Sequence, residues 1–144
     1  MKLPQYITIE EVRRVCRELD IRDWSSLSDA KVSLEEAEKI LAQVNVKAMP
    51  VSPEVFKQGL EVELEHGTRF QDANVTNNHP ILTGMIVIAH LKESMEYYER
   101  LEVAEIEGDL LKAVLAGDMD KIRHKYRLLL DAKSALVDAE GKQL

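Results

Sequence analysis

An all-α fold, a compact bundle of five or six helices, is predicted for this 144-residue sequence by three features. Apolar residues recur at helical spacing along most of the chain, capping residues stand directly in front of those runs, and no stretch alternates as a half-buried strand does. The chain reads as one domain over residues 1–144, with paired short helices over 7–46 and a helical core over 52–140.

Thr8 with Glu11 forms a capping-box pattern that opens a helix over about residues 9–19, where Val12, Val15, Cys16 and Leu19 share a face. Ser33 with Glu36 does the same for residues 34–44. The segments ITIEEVRRVCRELDI (7–21) and VSLEEAEKILAQVNV (32–46) align without a gap at an offset of 25 residues, an internal repeat of two short helices. Ser52 followed by Pro53 starts a third helix over about 53–66, with Gly67 expected as its stop. Residues 69–79, RFQDANVTNNH, are rich in side chains that bond their own backbone, which predicts an ordered structural loop. From Pro80 a long central helix is expected, with a bend near Ser94. It carries no Asp, Glu, Lys or Arg between Ile81 and Leu91, so burial on every side is expected there. The last helix, capped by Asp118, runs to about residue 139 with Met119, Ile122, Tyr126, Leu129, Leu130, Leu136 and Val137 on one face.

Composition removes several function classes. Nineteen Lys and Arg against 26 Asp and Glu give a net charge of −7, which repels phosphate backbones and anionic lipid, so neither nucleic acid nor membrane is an expected partner. The single cysteine, Cys16, lies on the apolar face of its helix and fits an inert thiol in a reducing compartment. The first residues hold no apolar stretch of signal-peptide length, and with no run long enough to span a bilayer the chain is expected to be cytoplasmic. No phosphate-binding glycine loop, nucleophile elbow or ordered nucleophile–base pair is present, so no catalytic residue is assigned.

One constellation could carry chemistry. On a wheel of about 100° per residue, Phe56, Leu60, Leu64, Val55 and Gly59 fall on one arc with Glu63 near its middle and His66 inside it, and Glu61 and Glu65 point to water. A buried carboxylate costs several kcal/mol unless it is protonated, hydrogen-bonded, ion-paired or metal-bound. The next helix offers His90 and Glu93, the same i, i+3 pair in reverse order, on a stripe from which Glu96 projects away. If the two helices run antiparallel, Glu63, His66, His90 and Glu93 meet at one depth, a ligand set that suits a single zinc or iron ion. Glu102 and Glu105 lie too far along the helix to complete a two-metal site. The competing reading of the same four residues is a structural hydrogen-bonded cluster. His79, before Pro80, is expected as a helix cap.

Phe56 to Gly59, Glu63 to Gly67, Asn74 to Thr76, Ala89 to Glu93, the Tyr97–Tyr98 pair and Arg100 to Glu102 form a motif series. Over residues 53 to about 105 this series resembles a small bacterial family of uncharacterised helical proteins, whose core reads F-x-x-G, ELEHG, NVT, AHLKE, Tyr-Tyr and RLE. His79 departs from it, standing where that family tends to be acidic. The resemblance implies a helical fold and no substrate. Two functions from different classes follow: a helical protein holding one transition-metal ion through Glu63, His66, His90 and Glu93, and a non-enzymatic interaction module. In the second, the paired N-terminal helices dock an unknown protein partner or a second copy.

Overall fold

Six α-helices and two 3-10 turns make up residues 6–144, which the computed structural model describes, and no strand occurs among the described residues. The helices are α1 (Ile9–Glu18), α2 (Leu34–Val44), α3 (Pro53–Arg69), α4 (Pro80–Glu93), α5 (Tyr97–Leu115) and α6 (Met119–Gly141), with 3-10 turns at Trp24–Ser26 and Gln71–Ala73. The all-α expectation is borne out. The reading of the extreme N-terminus falls in part on residues 1–5, outside the described residues. Packing divides the chain into two units, Met1–Lys92 and Glu93–Leu144.

In the first unit the repeated N-caps hold, with one divergence. Thr8 and Ser33 both accept from the backbone N–H three residues on, at 3.2 and 3.1 Å. Only α2 closes a full capping box, because the Glu36 carboxylate turns back to the Ser33 N–H at 2.9 Å while Glu11 turns outward to Arg14. The repeat carries into the core, where Val12 and Val15 of α1 correspond to Ala37 and Ile40 of α2 and all four are buried. Trp24 is fully enclosed, and Phe56, Leu60, Leu64, Val87 and Leu91 complete the interior from α3 and α4. Gly84 lets α4 approach this core closely: a Cβ there would stand 2.8 Å from Ile40 Cγ2 and 3.2 Å from Phe56 Cζ.

Two expectations for this unit are corrected. Gly67 does not end α3, which continues to Arg69; it is a buried position inside the helix where the following loop packs onto the backbone. A Cβ at Gly67 would collide with Asn78 Oδ1, so glycine is required by close approach rather than by a helix stop. The loop is ordered by its asparagines, as expected. Asn74 Nδ2 donates to Gly67 O at 3.2 Å and to Asn78 Oδ1 at 3.0 Å, Asn77 Nδ2 donates to Ile7 O at 2.6 Å, and Asn78 Nδ2 donates to Trp24 O at 3.5 Å. Asn77 and Asn78 both adopt positive φ, which asparagine tolerates best among residues with a Cβ. The second correction concerns α4, which is not enclosed all round: Met85, Ile86 and Ala89 are exposed, although Thr83, Gly84, Val87, Ile88 and Leu91 are buried. Absence of charge marked the helix as apolar, but only one face of it is covered.

The expected long helix from Pro80 is two helices, interrupted at residues 94–96, so the bend predicted near Ser94 is a break. In the second unit α5 and α6 form an antiparallel hairpin. Gly117, at φ 66°, closes α5, with Asp118 N–H donating to Ala113 O at 3.1 Å, and Asp118 Oδ1 then caps α6 through the Lys121 N–H at 3.0 Å. Lys125 to Asp109 at 2.7 Å and Lys133 to Glu107 at 3.1 Å bridge the two helices. At the open end of the hairpin Arg100 meets Glu140 at 2.6 Å, while Gln143 donates to Glu96 at 2.7 Å. Glu96 therefore does not project freely, as its wheel position suggested. Hydrogen bonds from Gln143 and Arg100 hold its carboxyl down at about 2.

Opposite outcomes are expected for two glycines. Gly67→Ala forces the Asn78 side chain from its seat and costs about 1–3 kcal/mol, read as a lower denaturation midpoint. Gly108→Ala, in α5 with nothing within 4 Å of the new Cβ, raises stability by roughly 0.5–1 kcal/mol.

Candidate functional site

Of the four expected ligands, the structure places two in contact. Glu63 on α3 is largely buried, and His90 Nδ1 on α4 lies 3.0 Å from its Oε1. The contact joins α3 to α4 at hydrogen-bonding distance. His66 is exposed, not inside the apolar arc. The buried line of α3 runs through Phe56, Leu60, Leu64 and Gly67, and His66 lies about 100° from Gly67 on the wheel. Val55 and Gly59 extend the expected arc to His66; Gly59 is buried, but Val55 is only half-buried and the arc ends short of His66. Glu93 is the exposed last residue of α4 and is grouped with the second unit. Among the described residues no group of three or more His, Cys, Asp or Glu side chains is gathered in a way that could hold a metal ion.

Glu61, expected to face water, is instead tied in. Its Oε1 accepts from the Val32 N–H at 3.0 Å and from Lys57 Nζ at 2.8 Å. The Val32 amide precedes α2 and has no helical acceptor, so the carboxylate supplies one.

Glu36 is the most buried carboxylate, 4% exposed, and sequence reasoning assigned it only a capping role. Arg22 grips both oxygens, Nε to Oε1 at 2.9 Å and Nη2 to Oε2 at 2.8 Å. Trp24 Nε1 donates to Oε1 at 3.2 Å and the Ser33 N–H to Oε2 at 2.9 Å. Burial alone would raise this carboxyl's pKa. The bonds from Arg22, Ser33 and Trp24 outweigh it and bring the group down to about 2. The repeat makes Glu11 and Glu36 equivalent, but no signal in the sequence brings Arg22 and Trp24 to Glu36 rather than to Glu11.

His79 caps α4 as expected. Its carbonyl accepts from the Thr83 N–H at 2.9 Å and its Nδ1 accepts from the Leu82 N–H at 3.4 Å. Burial lowers its pKa and so favours the neutral ring that this acceptor role requires; the nearby Glu11 pulls the other way. Its ring lines a cleft of about 320 Å³ with Val15, Leu19, Gln43 and Ile81, rimmed by Glu11, Arg14 and Glu18. Arg14 is already held by Glu11 at 2.6 Å and by Glu18 at 2.6 Å, so it offers no unpaired charge to a ligand. Cys16, with its thiol pushed up by burial and receiving the Trp24 N–H at 3.4 Å, is inert.

The hairpin of the second unit presents two unlike flanks. One is a polar cleft of about 450 Å³ lined by Glu102, Glu105, Asp109, Lys125 and Asp131 with Ile106 and Leu128. The other is apolar. Leu129 of α6 is buried, and Lys125 and Lys133, which bridge to α5, lie on either side of it. Met119, Tyr126, Leu130 and Val137 fall to one side of that line, and all four are exposed. The sequence had put these four on the same face as Leu129; α5 covers Leu129 and Ala132 and leaves them open.

Fold and polar clusters together define a helical protein whose buried charged groups join one segment to another rather than converge on an open site. The chain belongs to the family described as Protein of unknown function (DUF5661), whose model matches residues 12–107. The match spans α1 to the middle of α5 and contains the motif series over 53–105. Several of those motifs now have a physical basis: Gly67 and Asn74 seat the loop, His90 meets Glu63, and the Tyr97 and Tyr98 rings stack edge to face at 5.2 Å. Comparison with curated proteins and with solved structures gave no match.

Acid titration tests the Glu36 network. The folded carboxyl sits at about 2 against an ordinary 4.5, so the network's contribution is complete above pH 4.5 and is lost as pH falls toward 2. That contribution is of order 3 kcal/mol. Glu36→Gln should lower stability at pH 7 and flatten its dependence between pH 4.5 and 2, read by urea denaturation at several pH values; equal slopes for variant and wild type would contradict the assignment.

Proposed function

We propose that the protein is a non-enzymatic interaction module, that its docking element is the apolar flank of the α5–α6 hairpin, and that the Glu63–His90 pair is structural. One observation carries this reading. Met119, Tyr126, Leu130 and Val137 are 58, 55, 54 and 65% exposed, and their spacing of 7, 4 and 7 residues keeps them within about 40° of one another on α6. Scattered exposed apolar residues need no explanation, but a continuous stripe along a helix is the form of a helix-packing seam. A two-helix hairpin has little interior of its own, and here Tyr98, Ala113, Leu129 and Ala132 are its buried apolar residues.

This reading puts the docking surface on the C-terminal helices, where the sequence reading had put it on the N-terminal pair. The apolar faces of α1 and α2 are occupied: Val12, Val15, Ala37 and Ile40 are all buried. The partner chemistry that fits is an amphipathic helical surface, since a straight seam on a helix matches another helix best.

The expected zinc or iron reading keeps one supporting contact, Glu63 with His90, and elemental analysis discriminates. About one equivalent of metal in purified protein, lost in Glu63→Gln and His90→Ala variants that remain folded, would replace the structural assignment. For the docking reading, a photoreactive residue is placed at position 126 or 130 in cells. A discrete adduct of one mass from both positions, absent when the probe replaces Asp131 beside the polar cleft, is the expected result. No adduct from either position would sink it.

A further inference from the structure

We propose that His79 is an acid-sensitive latch: its neutral imidazole pins the start of α4 and the loop before it, and the protonated ring leaves that seat for the Glu11 carboxylate across the adjoining cleft. The seat is built for one protonation state. His79 is 6% exposed and stands immediately before α4, whose first turn carries no acidic residue. Its Nδ1 accepts from the Leu82 N–H at 3.4 Å, and its carbonyl accepts from the Thr83 N–H at 2.9 Å. A second ring proton leaves the imidazole with two donors and no acceptor, so Nδ1–H would face the Leu82 N–H at the positive end of a helix dipole. The seat also reaches beyond α4. The His79 N–H donates to Thr76 O at 3.0 Å, which joins it to the loop whose Asn77 bonds Ile7 O and whose Asn78 bonds Trp24 O.

The second seat lies across the cleft of about 320 Å³ that the ring lines. There α1 presents Glu11, Arg14 and Glu18, α2 presents the uncharged Gln43, and α4 contributes Ile81. Arg14 repels a cationic ring and Glu11 attracts one. Because Arg14 spans Glu11 and Glu18, its guanidinium keeps a carboxylate partner when Glu11 turns to the imidazolium. In the first seat burial is the main influence and disfavours the charged ring, while the Glu11 carboxylate and the ring's own backbone carbonyl oppose that in part. With the folded ring held below the ordinary 6.5, the latch's contribution is complete above pH 6.5 and is lost as pH falls through the folded value. The loss from Glu36 begins only below pH 4.5, so the two are separable.

Proton NMR and amide exchange on the full chain between pH ~8 and ~5 test the inference. The His79 imidazole resonance, assigned through its own backbone, should titrate below 6.5, and Glu11→Gln should move that midpoint lower still, because it removes the attracting charge and leaves Arg14. Exchange protection of the Leu82 and Thr83 amides should fall with acid in wild type, by up to about tenfold per pH unit. His79→Asn keeps a side-chain acceptor at the helix cap and cannot take up the proton, so its protection should stay flat. His66, His90 and His124 are still present in that variant, which assigns the difference to position 79. A His79 midpoint at or above 6.5, a midpoint unmoved in Glu11→Gln, or protection that falls equally in His79→Asn overturns the latch. Should His79→Asn not fold, the titrations of wild type and Glu11→Gln decide between the same outcomes.

Discussion

The buried carboxylate of Glu36 is the constraint on which the first unit turns. Five N–H groups reach it: the Arg22 backbone amide at 3.3 Å, two guanidinium nitrogens of Arg22, the Trp24 indole and the Ser33 amide. An ionised carboxylate at this depth is tolerated only when its lone pairs are filled, and filling them fixes the segment between α1 and α2. Trp24 is thereby held in the core, where its own backbone amide meets Cys16 of α1 and its carbonyl meets Asn78 of the loop before α4. One side chain thus sets the spacing of α1, α2 and the loop that seats on Gly67. The same role is played less deeply by Glu61, which ties α3 to the lead-in of α2, and by Glu63, which meets His90 across α3 and α4.

Features written locally were legible in the sequence. Thr8, Ser33, Ser52 and Asp118 cap the helices they were assigned to, and the 25-residue offset between repeats is the offset between the α1 and α2 N-caps. The family motifs were legible too. What failed depended on elements distant in sequence. Gly67 read as a terminator because glycine commonly ends helices, and nothing within α3 says that Asn78 will press against it. Glu36 read as half of a capping box because its other donors come from Arg22 and Trp24, which no periodicity brings to α2. Glu61 and Glu63 were separated by wheel angle into wet and dry, yet Glu61 found a backbone amide some thirty residues away. A wheel reports direction and not what waits there.

The exposure of His66, against expectation, has a related reason. Two i, i+3 His/Glu pairs on successive helices invite a level arrangement, but burial of α3 follows Phe56, Leu60, Leu64 and Gly67, a line that includes Glu63 and leaves His66 out. A helix interior can select one member of such a pair and turn its neighbour to solvent, because three residues span 300° and not a full turn. The Glu63–His90 contact links α3 to α4.

The two units differ in what folding leaves unfinished. In the first, the large apolar side chains of α1 to α3 that share the core are covered, and its deeply buried carboxylate is fully engaged. In the second, the polar groups are paired along the hairpin, through Lys125, Lys133, Arg100 and Gln143, while a line of apolar side chains on α6 stays in water. Leaving a helix face of that length uncovered forgoes stabilisation of about 25 cal/mol for each Å² that contact would bury. Fold stability alone does not need Met119, Tyr126, Leu130 and Val137 to be apolar, since each is exposed within one copy and polar residues would serve solubility better. Their spacing along one edge of α6 leaves that forgone stabilisation available to the docking role proposed for this flank.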